Sequence, residues 1–257
     1  MGKRESYEPG TFCWVDLSTS DADGAKDFYS GLFGWEFEDN EIPGGSVYTM
    51  CQVRGDTVAA IIQQDQHPGH WNSYVSVASV DETTARAKEL GVTVLEEPFD
   101  VMEAGRMAVF PCFPGAKSCA WEAREHIGAG RVNDIGCLGW NELQTPDPDT
   151  ASDLYSRLFD WSVERMEHDG MTVYVLVKNS AGRTNGGIMP IVEGQDDTLS
   201  HWLPYFVVTS CDEAVAHIEE LGGELLAGPM EPGAGKIAVT RDPQGAVFAV
   251  FEGQTDD

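Results

Sequence analysis

The sequence has few basic residues and no long apolar run. It contains 16 Lys and Arg against 43 Asp and Glu, which gives a formal net charge of −27 at pH 7. A surface of that sign repels nucleic-acid phosphates and anionic membranes. No stretch reaches the roughly 18 apolar residues of a membrane span, and the first residues show no secretory signal. We therefore expect a cytoplasmic protein without nucleic-acid or membrane partners.

Motifs for disulfides, metals and nucleotides are also missing. The six cysteines are scattered and form no Cys-x-x-Cys pair, which argues against a disulfide framework or a zinc site. No Gly-x-Gly-x-x-Gly or P-loop pattern is present, and neither is a nucleophile elbow. We predict no bound cofactor.

What the sequence does contain is an internal repeat. Residues 14–17 (WVDL) correspond to residues 140–143 (WNEL), and residues 28–35 (FYSGLFGW) correspond to residues 154–161 (LYSRLFDW). Both pairs are 126 positions apart, and matches of this density indicate a duplicated unit. The junction falls in a short glycine-rich linker, so the predicted domains are residues 1–130 and 131–257.

Each half shows the order β-α-β-β-β twice. In the first module a strand at Thr11–Leu17 precedes a helix that begins after Asp21 and ends at the Gly34 turn. The second module begins with a strand at Ser73–Val80 and a helix that ends at Leu90. Its further strands are predicted near Val92–Leu95, Arg106–Phe110 and Ser118–Trp121. The pattern indicates an α+β protein of four βαβββ modules.

The module order, the duplicated helix motif and the Asp242-Pro243-x-Gly245 turn resemble the vicinal-oxygen-chelate (glyoxalase/bleomycin-resistance/dioxygenase) superfamily. The Trp-x-[Asp/Glu]-Leu opening of both halves resembles its two-domain actinobacterial branch, labelled hydroxylase or glyoxalase-like. The resemblance covers about residues 11–252. It implies two tandem half-open barrels, each with a cup for a small molecule, but no single reaction, because one fold hosts many activities.

Metal-dependent members of that superfamily bind their ion through His, Gln or Glu on the first and last strands of the modules. Counting along the motifs carries these positions over to Trp14, Asn72, Trp140, Leu203, Cys119 and Ala249. A divalent ion prefers imidazole or carboxylate ligands, and an indole is only an N–H donor. We predict that the protein has no metal site.

Two acidic residues are the candidates for catalysis. Asp16 and Glu142 each follow a tryptophan by two positions, which places acid and indole on one face of a strand. A carboxylate beside an indole in an apolar cup has a raised pKa and suits general acid/base chemistry. The alternative is a structural hydrogen bond at each position. His201, at the start of a strand, is a candidate proton shuttle or simply a solvated residue.

Aromatic and polar residues at equivalent positions are the candidates for substrate binding. The predicted wall residues are Trp14, Trp140, Tyr48, Tyr174, Asn72, Tyr74 and Tyr205. They would stack on a flat ligand, or alternatively belong to the core. Arg106 and Lys236 are also paired by the repeat. They would hold a carboxylate or phenolate, or alternatively form salt bridges at the rim.

Three functions are consistent with these residues. The first is a metal-independent enzyme that acts on a carbonyl, quinone or epoxide-bearing metabolite, including polyketide tailoring, by carboxylate acid/base chemistry. The second is a metal-free protein that sequesters an antibiotic or metabolite and so confers resistance. The third is a metal-dependent glyoxalase or dioxygenase, which the missing ligands disfavour. The expected partner is a small aromatic or carbonyl-bearing metabolite, bound by a monomer or homodimer.

Overall fold

The fold consists of two copies of the same run of elements, one from each half of the sequence. The computed structural model describes residues 2–65, 68–113, 115–191, 199–233 and 235–255. The first copy contains β1 (Phe12–Thr19), α1 (Ala22–Phe33), β2 (Glu36–Glu41), β3 (Val47–Val53), β4 (Asp56–Gln63), β5 (His70–Ser76), α2 (Val80–Glu89), β6 (Glu96–Val101), β7 (Gly105–Phe113) and β8 (Ala116–Ala123). The second contains β9 (Leu138–Thr145), α3 (Pro148–Phe159), β10 (Ser162–His168), β11 (Met171–Lys178), β12 (Thr184–Pro190), β13 (His201–Val207), α4 (Cys211–Glu220), β14 (Glu224–Met230), β15 (Gly235–Arg241) and β16 (Val247–Gly253).

Each copy forms one mixed eight-stranded sheet. The strand orders are β2-β3-β4-β1-β5-β8-β7-β6 and β10-β11-β12-β9-β13-β16-β15-β14. The two modules of a copy meet where their first strands pair antiparallel, with Asp16 opposite Asn72 and Glu142 opposite Leu203. The edge strands of a sheet do not pair with each other, so neither sheet closes into a barrel. The predicted α+β fold of four modules in two tandem open units is confirmed.

Local capping signals fix the helices. Asp21 caps α1 by accepting a hydrogen bond from the backbone N–H of Gly24 at 3.0 Å, and Gly34 ends the helix with a left-handed φ of +68°. Asp147 caps α3 in the same way. Side-chain acceptors and left-handed residues satisfy backbone groups that helix ends leave unpaired. None of the helices in the described ranges is long and apolar enough to cross a membrane.

The helix-covered faces of the two sheets pack against each other. One core cluster joins Tyr29 and Trp35 of the first half to Phe206 and Phe248 of the second. A second cluster includes Phe12, Val75, Val80 and Phe110 from the first half and Leu143, Tyr155, Trp161 and Trp202 from the second. The first module therefore packs on the fourth, and the second on the third. The first sheet ends before residue 130 and the second begins after residue 131. The exact domain boundary between these two residues stays a prediction.

The edge strands differ most from expectation. The strand predicted at Val92–Leu95 lies instead at Glu96–Val101. Val92 and Val94 lie in a loop, outside the strands of the sheet, and their apolar side chains pack on the second core cluster. Glu36–Glu41 forms a strand whose residues are almost all exposed. Edge strands of this kind have no buried face, so they lack the apolar alternation on which strand prediction depends.

Candidate functional site

The helix-free face of each sheet carries a buried carboxylate. We call the helix-free face of the first sheet cup 1 and that of the second sheet cup 2. Val15 and Leu17 of β1 lie in the core shared with the helices. Because side chains alternate along a strand, Trp14 and Asp16 face cup 1. Trp140 and Glu142 hold the equivalent positions in cup 2.

In cup 1 the carboxylate of Asp16 is 3% exposed and accepts three hydrogen bonds. The hydroxyls of Tyr48 and Tyr74 donate to Oδ2 at 3.1 and 2.7 Å, and the amide of Asn72 donates to Oδ1 at 2.8 Å. The indole N–H of Trp14 donates to the Tyr48 hydroxyl oxygen at 3.0 Å. The structure thus joins these five predicted residues in one network.

Cup 2 repeats the arrangement around Glu142, which is 5% exposed. Tyr174 donates to Oε2 at 3.0 Å and Tyr205 donates to Oε1 at 2.8 Å. The indole N–H of Trp140 donates to the Tyr174 hydroxyl oxygen at 3.3 Å. An apolar residue, Leu203, stands where cup 1 has its asparagine.

Burial shifts the proton equilibria of these networks. Loss of water around Asp16 and Glu142 raises the pKa of both carboxyls, against the opposing effect of the hydrogen bonds that neighbouring side chains, including Gln144 beside Glu142, donate to them. Burial, and then the neighbouring carboxylate, also raise the pKa of Tyr174 and Tyr205. The phenols therefore stay protonated as donors, while each carboxyl exchanges its proton closer to neutrality than an exposed acid does.

Comparison with known proteins places the chain in a family. Residues 11–114 match the Glyoxalase/Bleomycin resistance protein/Dioxygenase superfamily, and residues 141–251 match the Glyoxalase-like domain. The Mycobacterium tuberculosis (strain CDC 1551 / Oshkosh) protein named "Putative glyoxylase CFP32" is 38% identical over 98% of both chains. The chain belongs to the glyoxalase/bleomycin resistance/dioxygenase superfamily. The "Anthracycline biosynthesis protein DauV" of Streptomyces sp. (strain C5) is 32% identical over 96% of this chain and 94% of its own.

Solved structures of low sequence identity share the fold. The Mn(II)-bound glyoxalase from Novosphingobium aromaticivorans superposes with a TM-score of 0.64 at 15% identity, over 100% of this chain and 86% of that one. The 2,3-dioxygenase LapB from Pseudomonas sp. KL28 gives 0.67 at 16% identity, over 95% and 94%. At these identities the likeness extends to the fold alone.

The residues at the superfamily's metal-ligand positions do not fit a divalent ion. The indole N–H groups of Trp14 and Trp140 are donors already bound to tyrosine hydroxyls, and the amide N–H of Asn72 donates to Asp16. Leu203 and Ala249 have no ligand atoms, and burial raises the pKa of the Cys119 thiol. Across the described ranges, no group of three or more His, Cys, Asp or Glu is placed to hold a metal.

His201 lies at the rim of cup 2. It pairs with Gln144 across the strands β13 and β9, and alternation places it on the same face as Leu203 and Tyr205. Its Nδ1 lies 3.0 Å from the carbonyl oxygen of Leu199. No direct hydrogen bond joins it to Glu142 among the described contacts, and its role as a proton shuttle stays a prediction.

Arg106 and Lys236 do not reach the cups. Their strand neighbours Met107 and Ile237 belong to the clusters of the helix-free faces, so alternation turns both cations to the helix-covered faces. The guanidinium of Arg106 binds both carboxylate oxygens of Asp81 at 3.0 Å, and also Asp100. Lys236 pairs with Asp212. Both cations therefore sit beside the first turn of a helix, and the ligand-binding placement inferred from the sequence is corrected.

Sequence reasoning did not identify every residue beside the networks, and Gln144, a side-chain donor to Glu142, is one that it missed. His126, in the linker, packs on Trp14 with ring centroids 4.5 Å apart, and burial lowers its pKa to about 4. Gly187 lies opposite Glu142 in the ladder, where a Cβ atom would lie 2.0 Å from the Tyr174 hydroxyl oxygen. The glycine pair at 186–187 inside a strand was a usable signal of close approach, whereas nothing local marked His126.

Two open clefts lie elsewhere, where the halves meet. Each has a volume of about 440 Å³. One is lined by Pro68 and by residues 222–224, 241–243, 245 and 247, and the other by residues 90–93, 111–113, 150, 153, 154 and 157. Neither contains a predicted site residue or one of the two buried cup carboxylates. The buried carboxylate networks lie in the cups and not in these clefts.

Proposed function

We propose that the protein is a metal-independent enzyme that transfers protons on a small metabolite bearing a carbonyl, quinone or epoxide group. The observation that carries the proposal is the carboxyl of Glu142, repeated at Asp16. Each is buried on a helix-free face, is held by two tyrosine hydroxyls and has a raised pKa. Perturbed carboxyls of this kind are characteristic of acid/base sites.

The arrangement supports a simple division of roles. In its neutral form the carboxyl donates a proton to a substrate oxygen, and in its ionised form it removes one from an adjacent carbon. The tyrosine hydroxyls hold the carboxylate oxygens in place through both states, and the indole beside them offers a flat apolar surface. Isomerisation, elimination, hydration and an oxygenation carried by the substrate itself are all compatible with such a group.

The relatives support the choice of substrate class. Two Streptomyces proteins named for anthracycline biosynthesis are each 32% identical to this chain. Anthracyclines are polycyclic quinones, so their flat rings suit aromatic walls such as Trp140 and Tyr174. We propose a tailoring step on an aromatic polyketide as the specific activity.

A sequestering protein is the second candidate. Protein donors already bind both oxygens of Glu142, which suits a structural carboxylate in an aromatic binding cup. A metal-dependent glyoxalase or dioxygenase is the third candidate, and the unsuitable ligand positions disfavour it.

The experiment that separates the first two candidates removes both acids. Asp16→Asn/Glu142→Gln is compared with Asp27→Asn/Glu220→Gln, which changes two exposed helical acids, using anthracyclinone aglycones and mass-spectrometric detection of product. We expect the control to turn over substrate and the cup variant to lose activity by about 100-fold or more, with its melting transition retained. Binding without turnover by the wild-type protein would identify a sequestering protein instead.

A further inference from the structure

The two cups contain hydrogen-bonded networks of the same kind but differ in the exposure of the indole. Trp14 is only 3% exposed, whereas Trp140 is partly exposed. His126 contributes to the difference, because its ring packs against the Trp14 indole with centroids 4.5 Å apart and an interplanar angle of 85°. A ligand could stack on Trp14 only after this ring had moved away.

The segment that carries His126 is fixed to the first sheet at several points. The indole N–H of Trp121 donates to the His126 carbonyl at 2.8 Å. The backbone N–H of Ala129 donates to the carbonyl of Cys13 at 2.8 Å, and the Tyr7 hydroxyl donates to the carbonyl of Ala129 at 2.6 Å. The same cluster of apolar side chains includes Trp14, Ala129, Val132 and Tyr7. The linker therefore forms a cover over cup 1.

Close contact between this linker and β1 depends on a glycine. Gly128 has a φ of +108°, and a Cβ atom there would lie 2.4 Å from the carbonyl oxygen of Cys13. Any other residue would be strained in backbone and would collide with the strand. Gly128 thus allows the linker to lie close against β1 over cup 1.

Cup 2 has a different lining. Within the described residues, its apolar cluster consists only of side chains from strands β9, β13, β15 and β16. The exposed side chains of Met166 and Met230 extend it toward both edges, since they pair with Tyr174 and Ile237. In cup 1 the residue that pairs with Tyr48 is Asn40.

The two carboxylates also differ in the third side chain that donates to them. Asp16 accepts hydrogen bonds from two tyrosines and from Asn72. Glu142 has Leu203 where the asparagine would be, and its third side-chain donor is Gln144. A carboxylate has about four acceptor sites, so Glu142 can also accept a hydrogen bond from a ligand hydroxyl.

From these differences we infer that cup 2 alone binds ligand, and that cup 1 is a closed structural copy. The ligand is a planar, hydroxylated aromatic ring system. It stacks on Trp140, and one of its hydroxyl groups donates a hydrogen bond to Glu142. The inference rests on the proposed function for its ligand class, but it concerns binding and requires no turnover.

The test uses quinizarin, a dihydroxyanthraquinone, and full-length protein in which the seven tryptophans are replaced by fluorotryptophan. Trp14→Phe and Trp140→Phe assign the two resonances in fluorine NMR spectra. We expect quinizarin to shift the Trp140 resonance and to leave the Trp14 resonance in place. Calorimetry with Glu142→Gln is expected to show binding weakened by about tenfold, as for loss of a hydrogen bond to a charged group, while Glu220→Gln binds like the wild type.

Equal shifts of both resonances, or a stoichiometry of two per chain, would overturn the inference and leave the proposed enzyme intact. A shift of Trp140 alone without any turnover of substrates would support the inference and count against the enzyme. Failure of the wild-type protein to bind quinizarin would overturn the ligand class stated here. Melting transitions of the variants establish that each is folded.

Discussion

Glu142 and Asp16 are acids whose surroundings oppose their ionisation while their hydrogen bonds favour it. Desolvation is the larger effect at both residues, so the pKa of each is raised. Each carboxyl is also linked through a tyrosine hydroxyl to an indole N–H. A change in any member of this chain therefore alters both the proton affinity and the position of the acid.

The raised pKa of Glu142 predicts a pH-dependent stability difference. Its stabilising contribution is complete below the unfolded-state pKa of about 4.3 and is lost as the pH rises through the higher folded-state pKa. Glu142→Gln cannot ionise. The free energy of unfolding of Glu142→Gln, relative to wild type, should therefore increase from about pH 4 to neutrality. Urea denaturation across this range measures it, and a constant or decreasing difference would contradict the raised pKa.

Gly187 is predicted to position Tyr174. In Gly187→Ala the new Cβ would lie 2.0 Å from the Tyr174 hydroxyl oxygen, so the tyrosine has to move away from Glu142. We expect a loss of about 1–3 kcal/mol in unfolding free energy. Tyr174→Leu removes the colliding atoms, so Gly187→Ala should cost less in that background. Additive costs in a double-mutant cycle would refute the contact.

At the scale of elements, the last strand of each copy along the chain carries a glutamate that caps a helix of the same copy. A carboxylate oxygen of Glu252 accepts the backbone N–H of Cys211 at the start of α4 at 2.8 Å, and Glu122 does the same for Val80 at the start of α2 at 2.9 Å. These contacts satisfy backbone N–H groups and place negative charge at the positive end of each helix.

Glu252→Ala should therefore destabilise the protein by about 1 kcal/mol. The matched control is Glu220→Ala, at the opposite end of the same helix, where alanine is a good helix former and an acid is unfavourable. Denaturant midpoints of both variants test the assignment. An equal effect of the two substitutions would show that the cap contributes nothing.

At the scale of the whole molecule, the two repeats share two core clusters. Trp35 of the first half donates its indole N–H to the carbonyl of Gly136, and Trp161 of the second half donates to that of Gly10. The Tyr29 hydroxyl donates to Asp242, and Trp202 donates to Ser118. Each half thus completes the buried hydrogen bonds of the other.

We predict that neither half folds alone. Residues 1–130 expressed by themselves would expose the apolar surface that the aromatic core now buries, at a cost of about 25 cal/mol per Å². Circular dichroism and sedimentation should show association or loss of fixed tertiary structure in each fragment, and recovery of a one-to-one complex on mixing. A stable monomeric half with a sharp melting transition would disprove the shared core.

Local signals made much of this protein predictable. The helices that begin after Asp21 and Asp147 were marked by their caps and by the 126-residue repeat. Period-two alternation put Trp14 and Asp16 on the same face, and the structure joins both to Tyr48. The same alternation could not determine which face of the sheet Arg106 occupies, because the sequence does not show which face the helices cover.

The sequence alone determined the duplication, the four modules and the pairing of each acid with an indole, because these follow from contacts close along the chain or from strict periodicity. Only the tertiary structure decided that the first module packs on the fourth and that His126 covers Trp14. It likewise decided that Lys236 lies outside its cup. The first two of these arrangements depend on side chains that meet across more than one hundred residues, as Trp14 and His126 do, and no local pattern encodes which surfaces will meet.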